Sequence, residues 1–288
     1  MLNTALQGIV QGLSEFLPIS SSGHLTLIQH FTGNNNLEAN MTTDIALHFG
    51  TLVAVFYYFR KDLIPYFTVA GWKDEARRKI ALLVLTASFP TALIGLGLKK
   101  YIEAFFQNPS LVCLALFLTG VLLLISEKLK NQEKDNTTIN IEESSKPSDP
   151  KSDATALSKL TYKSAIITGI AQGFACTPGI SRSGSTIVAG LLLGLKGEDA
   201  AKFSFLLMIP SVGGATLLEV IKVVKTGSLA EGLVPANLAV GAITSLIVGL
   251  LSLKFLTYII KKQKLSYFAY YLFAVSIICI SLINFAGM

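Results

Sequence analysis

A short polar motif occurs twice in this otherwise apolar chain, once near the start of each half. The first copy reads GIVQGLSEFLPISSSGH over residues 8–24, and the second reads GIAQGFACTPGISRSGST over residues 169–186. The copies share their glycine spacing, but they differ in chemistry. The first carries Glu15 and His24, whereas the second carries Arg182 and a row of hydroxyl groups. We expect a duplicated chain with unequal copies to fold as two similar halves that share one site.

Composition predicts a membrane protein. Hydrophobic residues make up 51% of the 288 residues and charged residues only 15%, whereas soluble domains are about a quarter charged. A spanning helix needs about 20 mainly apolar residues. A large soluble all-α core is the alternative, but it would require polar helix faces that are scarce here. With their flanking residues, six apolar stretches are candidate transmembrane helices: Thr43–Tyr58, Ile80–Leu98, Leu111–Ile125, Phe203–Val220, Leu238–Ile260 and Tyr267–Phe285.

Two further apolar segments are too short to cross a membrane. Thr4–Ser14 and Ser164–Ala175 are each followed by a turn rich in Pro, Ser and Gly, and then by a second short helical segment, His24–Phe31 or Thr186–Leu195. Eleven helical residues reach about 16 Å, roughly half the bilayer. We therefore predict two re-entrant hairpins, at 4–31 and 164–195. Their non-helical tips must be buried in protein or line a wet cavity.

The predicted fold is an all-α polytopic membrane protein in three parts. Residues 1–126 form a first repeat of one hairpin and three transmembrane helices, and residues 164–288 form a second. Residues 127–163 are rich in Lys, Glu, Ser and Asp, which predicts a disordered cytoplasmic linker. Because three is an odd number, the second half enters the membrane upside down, as in the inverted repeats of many transporters. Pro90 and Pro210 are expected inside spanning helices.

Basic residues predict the orientation. Most Lys and Arg residues fall in loops on one side of the predicted membrane, which the positive-inside rule makes cytoplasmic. Both termini then lie outside, the first hairpin enters from outside, and the second enters from the cytoplasm. The basic residues are dispersed among apolar segments, so we expect no nucleic-acid partner. No cleavable signal-peptide pattern is present. The other side holds only Lys99, Lys100, Lys222 and Lys225.

Arg182 is the most informative single residue. A charge at membrane depth costs at least about 2.5–3.5 kcal/mol, so it marks a functional site by default. A guanidinium binds phosphate oxygens in a bidentate fashion, and nearby hydroxyls, glycines and a helix N-terminus add further donors. The pattern predicts a phosphate-binding tip. An arginine that snorkels to the interface is the alternative. The surrounding hydroxyl residues are Ser181, Ser183, Ser185 and Thr186.

The first tip offers acid, base and nucleophile. Gln11 and Glu15 are four residues apart, hence on one helix face, and could bind a hard cation such as Mg²⁺. His24 could take a proton from a serine or a water, and Ser21 could be the nucleophile. The alternatives are a hydrogen-bonded helix-end carboxylate, a capping histidine and ordinary N-capping serines. Chemistry alone leaves open both a phosphoryl-transfer enzyme and an anion transporter.

Together, QGLSEFLPISSSGH and PGISRSGST resemble the signatures of the undecaprenyl-diphosphatase (bacitracin-resistance) family of bacterial integral membrane proteins. The resemblance covers nearly the full chain apart from the central linker. It implies hydrolysis of undecaprenyl diphosphate, a polyprenyl diphosphate lipid, to undecaprenyl phosphate and inorganic phosphate. That reaction recycles the lipid carrier for peptidoglycan synthesis. The resemblance also implies dependence on Mg²⁺ or Ca²⁺, and a site on the outer face of the cytoplasmic (inner) membrane.

The resemblance also implies roles for single residues, at the positions where this chain matches the family's motifs. The resemblance makes Gln11 and Glu15 the metal-linked pair, Ser21 the nucleophile, His24 the base and Arg182 the diphosphate clamp. Because Gln11 is neutral, Glu15 would bind metal together with water and phosphate oxygens. Substrate-binding roles fall on Ser20, Ser22, Ser181, Ser183, Ser185 and Thr186.

Other functions and weaker sites stay open. A transporter or flippase of a lipid phosphate or another anion is the main alternative, and a scaffold protein is the least favoured. A homodimer is an open alternative to a monomer. Asp44 and His48, four residues apart at the start of a predicted spanning helix, could pair or line the cavity, but we interpret them as an interfacial pair.

Overall fold

The computed structural model describes residues 1–34, 36–136, 157, 160–227, 229–261 and 265–286. The elements in this part of the chain are all helical, which confirms the all-α prediction. A 3₁₀ turn at Ile64–Phe67 accompanies the α-helices. These are α1 Leu2–Ser14, α2 Ser21–Phe31, α3 Leu37–Tyr58, α4 Arg60–Leu63, α5 Val69–Lys73, α6 Glu75–Gly97, α7 Lys99–Phe106, α8 Pro109–Asn136, α9 Tyr162–Phe174, α10 Arg182–Leu192, α11 Gly197–Thr226, α12 Pro235–Lys261 and α13 Ser266–Ala286.

Five of the long helices could cross a membrane. Among the described residues, α6, α8, α11, α12 and α13 are long and apolar enough. The sixth predicted span, α3, has 22 residues but is more polar, and its crossing stays a prediction. Large apolar side chains cover the outer faces, for example Leu85, Phe89 and Leu93 on α6, which are all more than half exposed. Extended apolar surface of this kind fits lipid rather than water.

Two pairs of short helices form the predicted hairpins. In each pair the first helix has 13 residues and the second has 11. Both second helices begin earlier than predicted, at Ser21 and Arg182 rather than at His24 and Thr186. The reason is capping: Ser20 Oγ accepts a hydrogen bond from the backbone N–H of the residue three positions on, and Ser181 Oγ does the same. Ser21 and Arg182 therefore occupy equivalent positions, as the first residues of α2 and α10.

Each hairpin packs on a long helix of the other half. Helix α1 packs along α12, and α9 packs along α6. Glycines make the close approach possible, because a Cβ on Gly8 would collide with the backbone of Gly241, and a Cβ on Gly169 would collide with the backbone of Ala87. The remaining long helices pair between halves as α3 with α11 and α8 with α13. The halves are thus interlocked, while their opposite insertion stays a prediction.

Buried apolar clusters hold the hairpin tips in place. Phe16, which follows Glu15, is fully buried and contacts Phe205 of α11 edge to face, with ring centroids 5.7 Å apart. Ile19 of the first tip and Val188 of α10 pack with apolar residues of α8 and α13. The tips are therefore surrounded by protein, which is the condition for irregular backbone at membrane depth.

The start of the predicted linker is helical. Helix α8 continues to Asn136, ten residues into the segment 127–163, for which composition predicts disorder. Glu127 accepts hydrogen bonds from the backbone N–H and the hydroxyl of Ser266, and so ties α8 to the start of α13. Residues 137–156 and 158–159 of the predicted linker lie outside the described residues. Pro90 and Pro210 lie inside α6 and α11, as expected.

Candidate active site

The two hairpin tips meet at one cavity of about 240 Å³. Of the four residues predicted to be catalytic, Glu15, Ser21 and Arg182 line it together. Helices α3, α7 and α11 complete the wall with both apolar and polar side chains. The lining outside the hairpins consists of Met41, Asp44, Ile45, His48, Phe106, Ser211, Val212, Ala215 and Thr216.

The first tip holds Ser21 on a strained turn. Among the described residues, Ser20 is the one non-glycine residue with a positive φ, at 67°. A conformation of this kind costs roughly 1–3 kcal/mol and is found where the surrounding structure imposes it, commonly at active sites. It presents Ser21 as the first residue of α2, at the positive end of the helix.

The second tip is tied to α8. Gly179 has a φ of 92°, and a Cβ there would lie 2.6 Å from the Val112 carbonyl oxygen. Thr119 of α8 donates its hydroxyl to the Gly179 carbonyl oxygen at 2.9 Å and accepts the backbone N–H of Ser181 at 3.2 Å. These contacts fix the residue that caps α10, and hence the position of Arg182. Sequence reasoning missed Thr119, which resembles any other hydroxyl residue of an apolar helix.

Glu15 lies at the centre of the site. Its side chain is only 2% exposed, and Arg182 Nη2 is both hydrogen-bonded and ion-paired to its Oε1. Its Oε2 accepts a 2.6 Å hydrogen bond from Ser21 Oγ and a 2.9 Å hydrogen bond from Gln11 Nε2. His48 Nε2 lies 3.3 Å from the same oxygen. A buried carboxylate requires such partners, because an unpaired charge away from water is strongly unfavourable.

One terminal nitrogen of Arg182 lacks a partner. Within the described part of the chain, its buried Nη1 has no hydrogen-bond partner, and the same is true of Thr216 Oγ1 on the cavity wall. A buried donor without a partner costs about 1–3 kcal/mol, so an unfilled donor in a cavity indicates a ligand that accepts hydrogen bonds. A phosphate oxygen is the natural acceptor for a guanidinium.

The predicted substrate-binding hydroxyls fall into two groups. Ser20, Ser22, Ser181 and Ser183 line the cavity. The remaining two lie away from the lining. Ser185 is buried in α10, and Thr186 Oγ1 lies 2.6 Å from Ser204 Oγ, a contact between α10 and α11. Substrate contact by these two residues stays a prediction.

His24 lines a different cavity, together with Tyr271. Its Nδ1 lies 2.8 Å from the Ser20 carbonyl oxygen and its Nε2 lies 2.8 Å from the Tyr271 hydroxyl. Because a carbonyl oxygen only accepts, Nδ1 carries the hydrogen in the neutral ring and Nε2 accepts from Tyr271. Both ring nitrogens are therefore occupied, and the hydrogen-bond acceptor for the Ser21 hydroxyl is Glu15. The predicted role of His24 as base has no geometric support.

The predicted metal pair does not form a ready-made site. Gln11 donates its amide N–H to Glu15 and is not part of the cavity lining. Its Oε1, the atom that would bind a cation, is buried and has no hydrogen-bond partner among the described residues. Both oxygens of Glu15 are already engaged, one of them by a cation. Magnesium requires near-octahedral oxygen ligands. Within the described residues, no group of three His, Cys, Asp or Glu side chains could hold a metal ion.

Asp44 and His48 belong to the cavity, so their interpretation as an interfacial pair is wrong. Both side chains line it, and Asp44 is 5% exposed. Asp44 Oδ1 accepts a 2.7 Å hydrogen bond from Gln29 Nε2 of α2. The sequence did carry a signal: two ionisable residues one turn apart in an apolar segment usually face the interior of a helix bundle.

Comparisons with known proteins agree on one family. The family model described as bacitracin resistance protein BacA matches residues 4–278. A relative from Halothermothrix orenii, named undecaprenyl-diphosphatase, is 40% identical over 96% of this chain and 95% of its own. Relatives of the same name from Rubrobacter xylanophilus and Geotalea daltonii are 36% and 37% identical, over 98% and 99% of both chains. These matches confirm the resemblance seen in the two motifs: the chain belongs to the bacitracin resistance protein BacA family.

Proposed function

We propose that this protein hydrolyses undecaprenyl diphosphate to undecaprenyl phosphate and inorganic phosphate, and so recycles the lipid carrier for peptidoglycan synthesis. The names of its relatives support this reaction. The observation that carries it is the joint placement of Ser21, Glu15 and Arg182 in one cavity, where Nη1 of the guanidinium has no hydrogen-bond partner among the described residues. Phosphoryl transfer needs a positioned nucleophile, a proton acceptor and positive charge, and these three residues supply them.

The contacts suggest a two-step reaction. Ser21 Oγ attacks the terminal phosphorus while its proton passes to Glu15 Oε2, and the bond from that phosphorus to the bridging oxygen breaks. Undecaprenyl phosphate leaves, and the phosphoryl group stays on the serine. Water then attacks this phosphorus, Ser21 Oγ leaves and regains its proton from Glu15, and the protons of the water remain with inorganic phosphate. Arg182 stabilises the charge that develops on the phosphoryl oxygens in both steps.

The walls of the cavity suit a lipid-linked phosphate. Polar side chains from the two tips occupy one part of the lining, and apolar residues such as Met41, Ile45 and Phe106 occupy another. A diphosphate could therefore contact Arg182 while the first isoprene units contact apolar side chains. The rest of the long chain would lie in the bilayer.

Phosphate release from undecaprenyl diphosphate by detergent-purified protein tests the proposal. We expect release by the wild type and a loss of at least about 100-fold in kcat for Arg182→Ala, since it removes the charge at the reacting group. Arg77→Ala is the matched control, because Arg77 pairs with Asp74 at the surface, away from the cavity. Full activity of Arg182→Ala, or no release by the wild type, would contradict the proposal.

Trapping of a phosphoenzyme separates serine attack from water attack. Rapid acid quenching should leave label from the terminal phosphate on Ser21 of the wild type and none on Ser21→Ala. If water attacks directly, no labelled protein forms.

A divalent cation, Mg²⁺ or Ca²⁺, remains a prediction of the family resemblance. Because the donors around Glu15 already fill its oxygens, we propose that any required cation arrives with the diphosphate rather than residing on Gln11 and Glu15. Treatment with EDTA should then abolish activity, while calorimetry of the substrate-free protein should detect no tight Mg²⁺ binding.

Transport of a lipid phosphate or another anion is a second candidate. The interlocked halves, with one cavity between two hairpins, favour it, because inverted-repeat transporters place their site between repeats. Liposomes that contain the purified protein and a labelled lipid phosphate test this activity. Movement of label between leaflets without phosphate release would favour the transporter.

We also propose that the protein lies in the bacterial cytoplasmic (inner) membrane with both termini and the cavity facing outside. Tyr101 of α7 is 70% exposed, which makes Tyr101→Cys a suitable reporter once the exposed native thiol is removed by Cys176→Ser. A membrane-impermeant thiol reagent should label it in intact cells, and labelling only after lysis would reverse the orientation. Light scattering of the purified protein would decide between a monomer and a homodimer.

A further inference from the structure

His48 has no role in the two-step reaction proposed for Ser21, Glu15 and Arg182, although it contacts one of them. It lies on α3, in neither hairpin, and its Nε2 lies 3.3 Å from Glu15 Oε2, the oxygen that accepts the Ser21 hydrogen bond. Its side chain is 22% exposed and lines the cavity. A third segment of the chain thus contacts the carboxylate that the two hairpin tips share.

The hydrogen bonds of the ring define its role. His48 Nδ1 lies 2.7 Å from the backbone carbonyl oxygen of Asp44, one turn earlier on α3. A carbonyl oxygen only accepts, so Nδ1 carries a hydrogen. Nε2 faces a carboxylate oxygen that also only accepts while Glu15 is ionised. The contact is therefore attractive when Nε2 carries a hydrogen too, which makes His48 a donor on both sides.

This donor restricts how the Glu15 carboxylate can rotate. Arg182 holds Oε1, whereas His48 and Gln11 hold Oε2 from α3 and α1. With Oε2 fixed, its distance to Ser21 Oγ stays at 2.6 Å, within reach of proton transfer. When Arg182 turns towards a phosphate, His48 would still hold the carboxylate against Ser21.

We propose that His48 is a positioning residue, which donates its Nε2–H to Glu15 and so keeps this carboxylate aligned to accept the proton of Ser21. The inference rests on the proposed phosphatase function. It assigns a role to α3 in the reaction, whereas both sequence motifs lie in the hairpins. Groups that orient a reacting side chain are commonly worth 10–100-fold in activity, as seen around metal ligands.

Two substitutions separate the hydrogen bond from the volume of the ring. His48→Leu removes the donor and keeps an apolar side chain of similar reach, and His48→Gln keeps an N–H in place of Nε2–H. We expect His48→Leu to lower kcat by about 10–100-fold with KM changed less than about threefold. His48→Gln should restore kcat to within about fivefold of the wild type. His30→Leu is the matched control, because His30 does not line the cavity.

Each outcome is decisive. Undiminished kcat of His48→Leu in an active preparation overturns the inference alone, and so does an equal loss in His48→Leu and His48→Gln. Phosphate release absent from the wild type itself overturns the proposed function and this inference with it. If His48→Leu does not fold, His48→Asn replaces it, since its shorter amide cannot reach Glu15, and the same losses are expected.

Discussion

At the scale of single residues, the site is built around one carboxylate and its donors. Glu15 is almost fully buried, and its partners include a guanidinium. In a buried ion pair each charge requires the other, because either charge alone, away from water, would be strongly unfavourable. Glu15 therefore has two separable effects, one on the stability of the fold and one on the transfer of a proton from Ser21.

Glu15→Gln should reveal both effects. The amide cannot neutralise Arg182 or take the serine proton, so we expect a loss of activity of at least about 100-fold and a loss of about 3 kcal/mol in stability. Thermal unfolding in detergent and phosphate release measure the two. Asp74→Asn, which breaks an ion pair at the surface, should change stability by less than about 1 kcal/mol. An active, fully stable Glu15→Gln variant would contradict the arrangement.

Cys176 provides a reporter on the cavity. It corresponds by motif position to Glu15, lies on the cavity wall and is exposed, whereas Cys113 is buried. We expect a maleimide to modify Cys176 and to block phosphate release, because the adduct fills part of the cavity. Cys176→Ser should keep its activity after the same treatment. Inhibition that persists in Cys176→Ser would place the reactive thiol elsewhere.

At the scale of elements, the hairpins depend on close helix contacts. Gly8 faces Gly241 of α12 so closely that a Cβ would lie 2.5 Å from its carbonyl oxygen. Gly214 of α11, in contrast, has open space where a Cβ would stand. Both glycines lie inside helices, so they form a matched pair.

Gly8→Ala should separate α1 from α12 and lower stability by about 1–3 kcal/mol. Gly214→Ala should be neutral or stabilise by up to about 1 kcal/mol, because alanine favours helix more than glycine does. Thermal unfolding of the two variants in the same detergent makes the comparison. Equal effects would show that the α1–α12 contact is not tight.

The two helical hairpins are the elements that the sequence predicts best, for two physical reasons. Their short apolar length excludes a span, and their tips carry helix-breaking and capping residues. The predicted starts of α2 and α10 are too late, because the last residues of each turn become helical once Ser20 or Ser181 caps the helix.

Side-chain partners were harder to predict than elements. Glu15, Ser21 and Arg182 could be found because each sits in a motif. His24 also sits in a motif, yet α2 turns it towards Tyr271, a residue distant in sequence. His48 lies outside both motifs and reaches Glu15 only because α3 packs beside the first hairpin. Contacts between distant segments depend on packing, which spacing along the chain does not encode.

At the scale of the whole molecule, neither half is complete. Helix α1 of the first half packs on α12 of the second, and α9 of the second packs on α6 of the first. A half produced alone would expose the glycine face of its hairpin and lack one side of the cavity. The stability of each half therefore depends on the presence of the other.

Expression of the halves tests this dependence. Residues 1–136 and 157–288 produced together should assemble and release phosphate, whereas either piece alone should be inactive and degraded. Co-purification through a tag on one piece, with phosphate release as the readout, makes the measurement. Activity of a single piece would show that the cavity does not need both tips.

Ser21 and Arg182 begin equivalent helices, each directly after a capping serine. In an ancestor assembled from two identical chains, symmetry would have placed like beside like at this point, two arginines in mutual repulsion or two serines with no cation. Because the two halves differ at this position, one supplies the nucleophile and the other the cation. No symmetric assembly of two identical copies of one half could reproduce that pair.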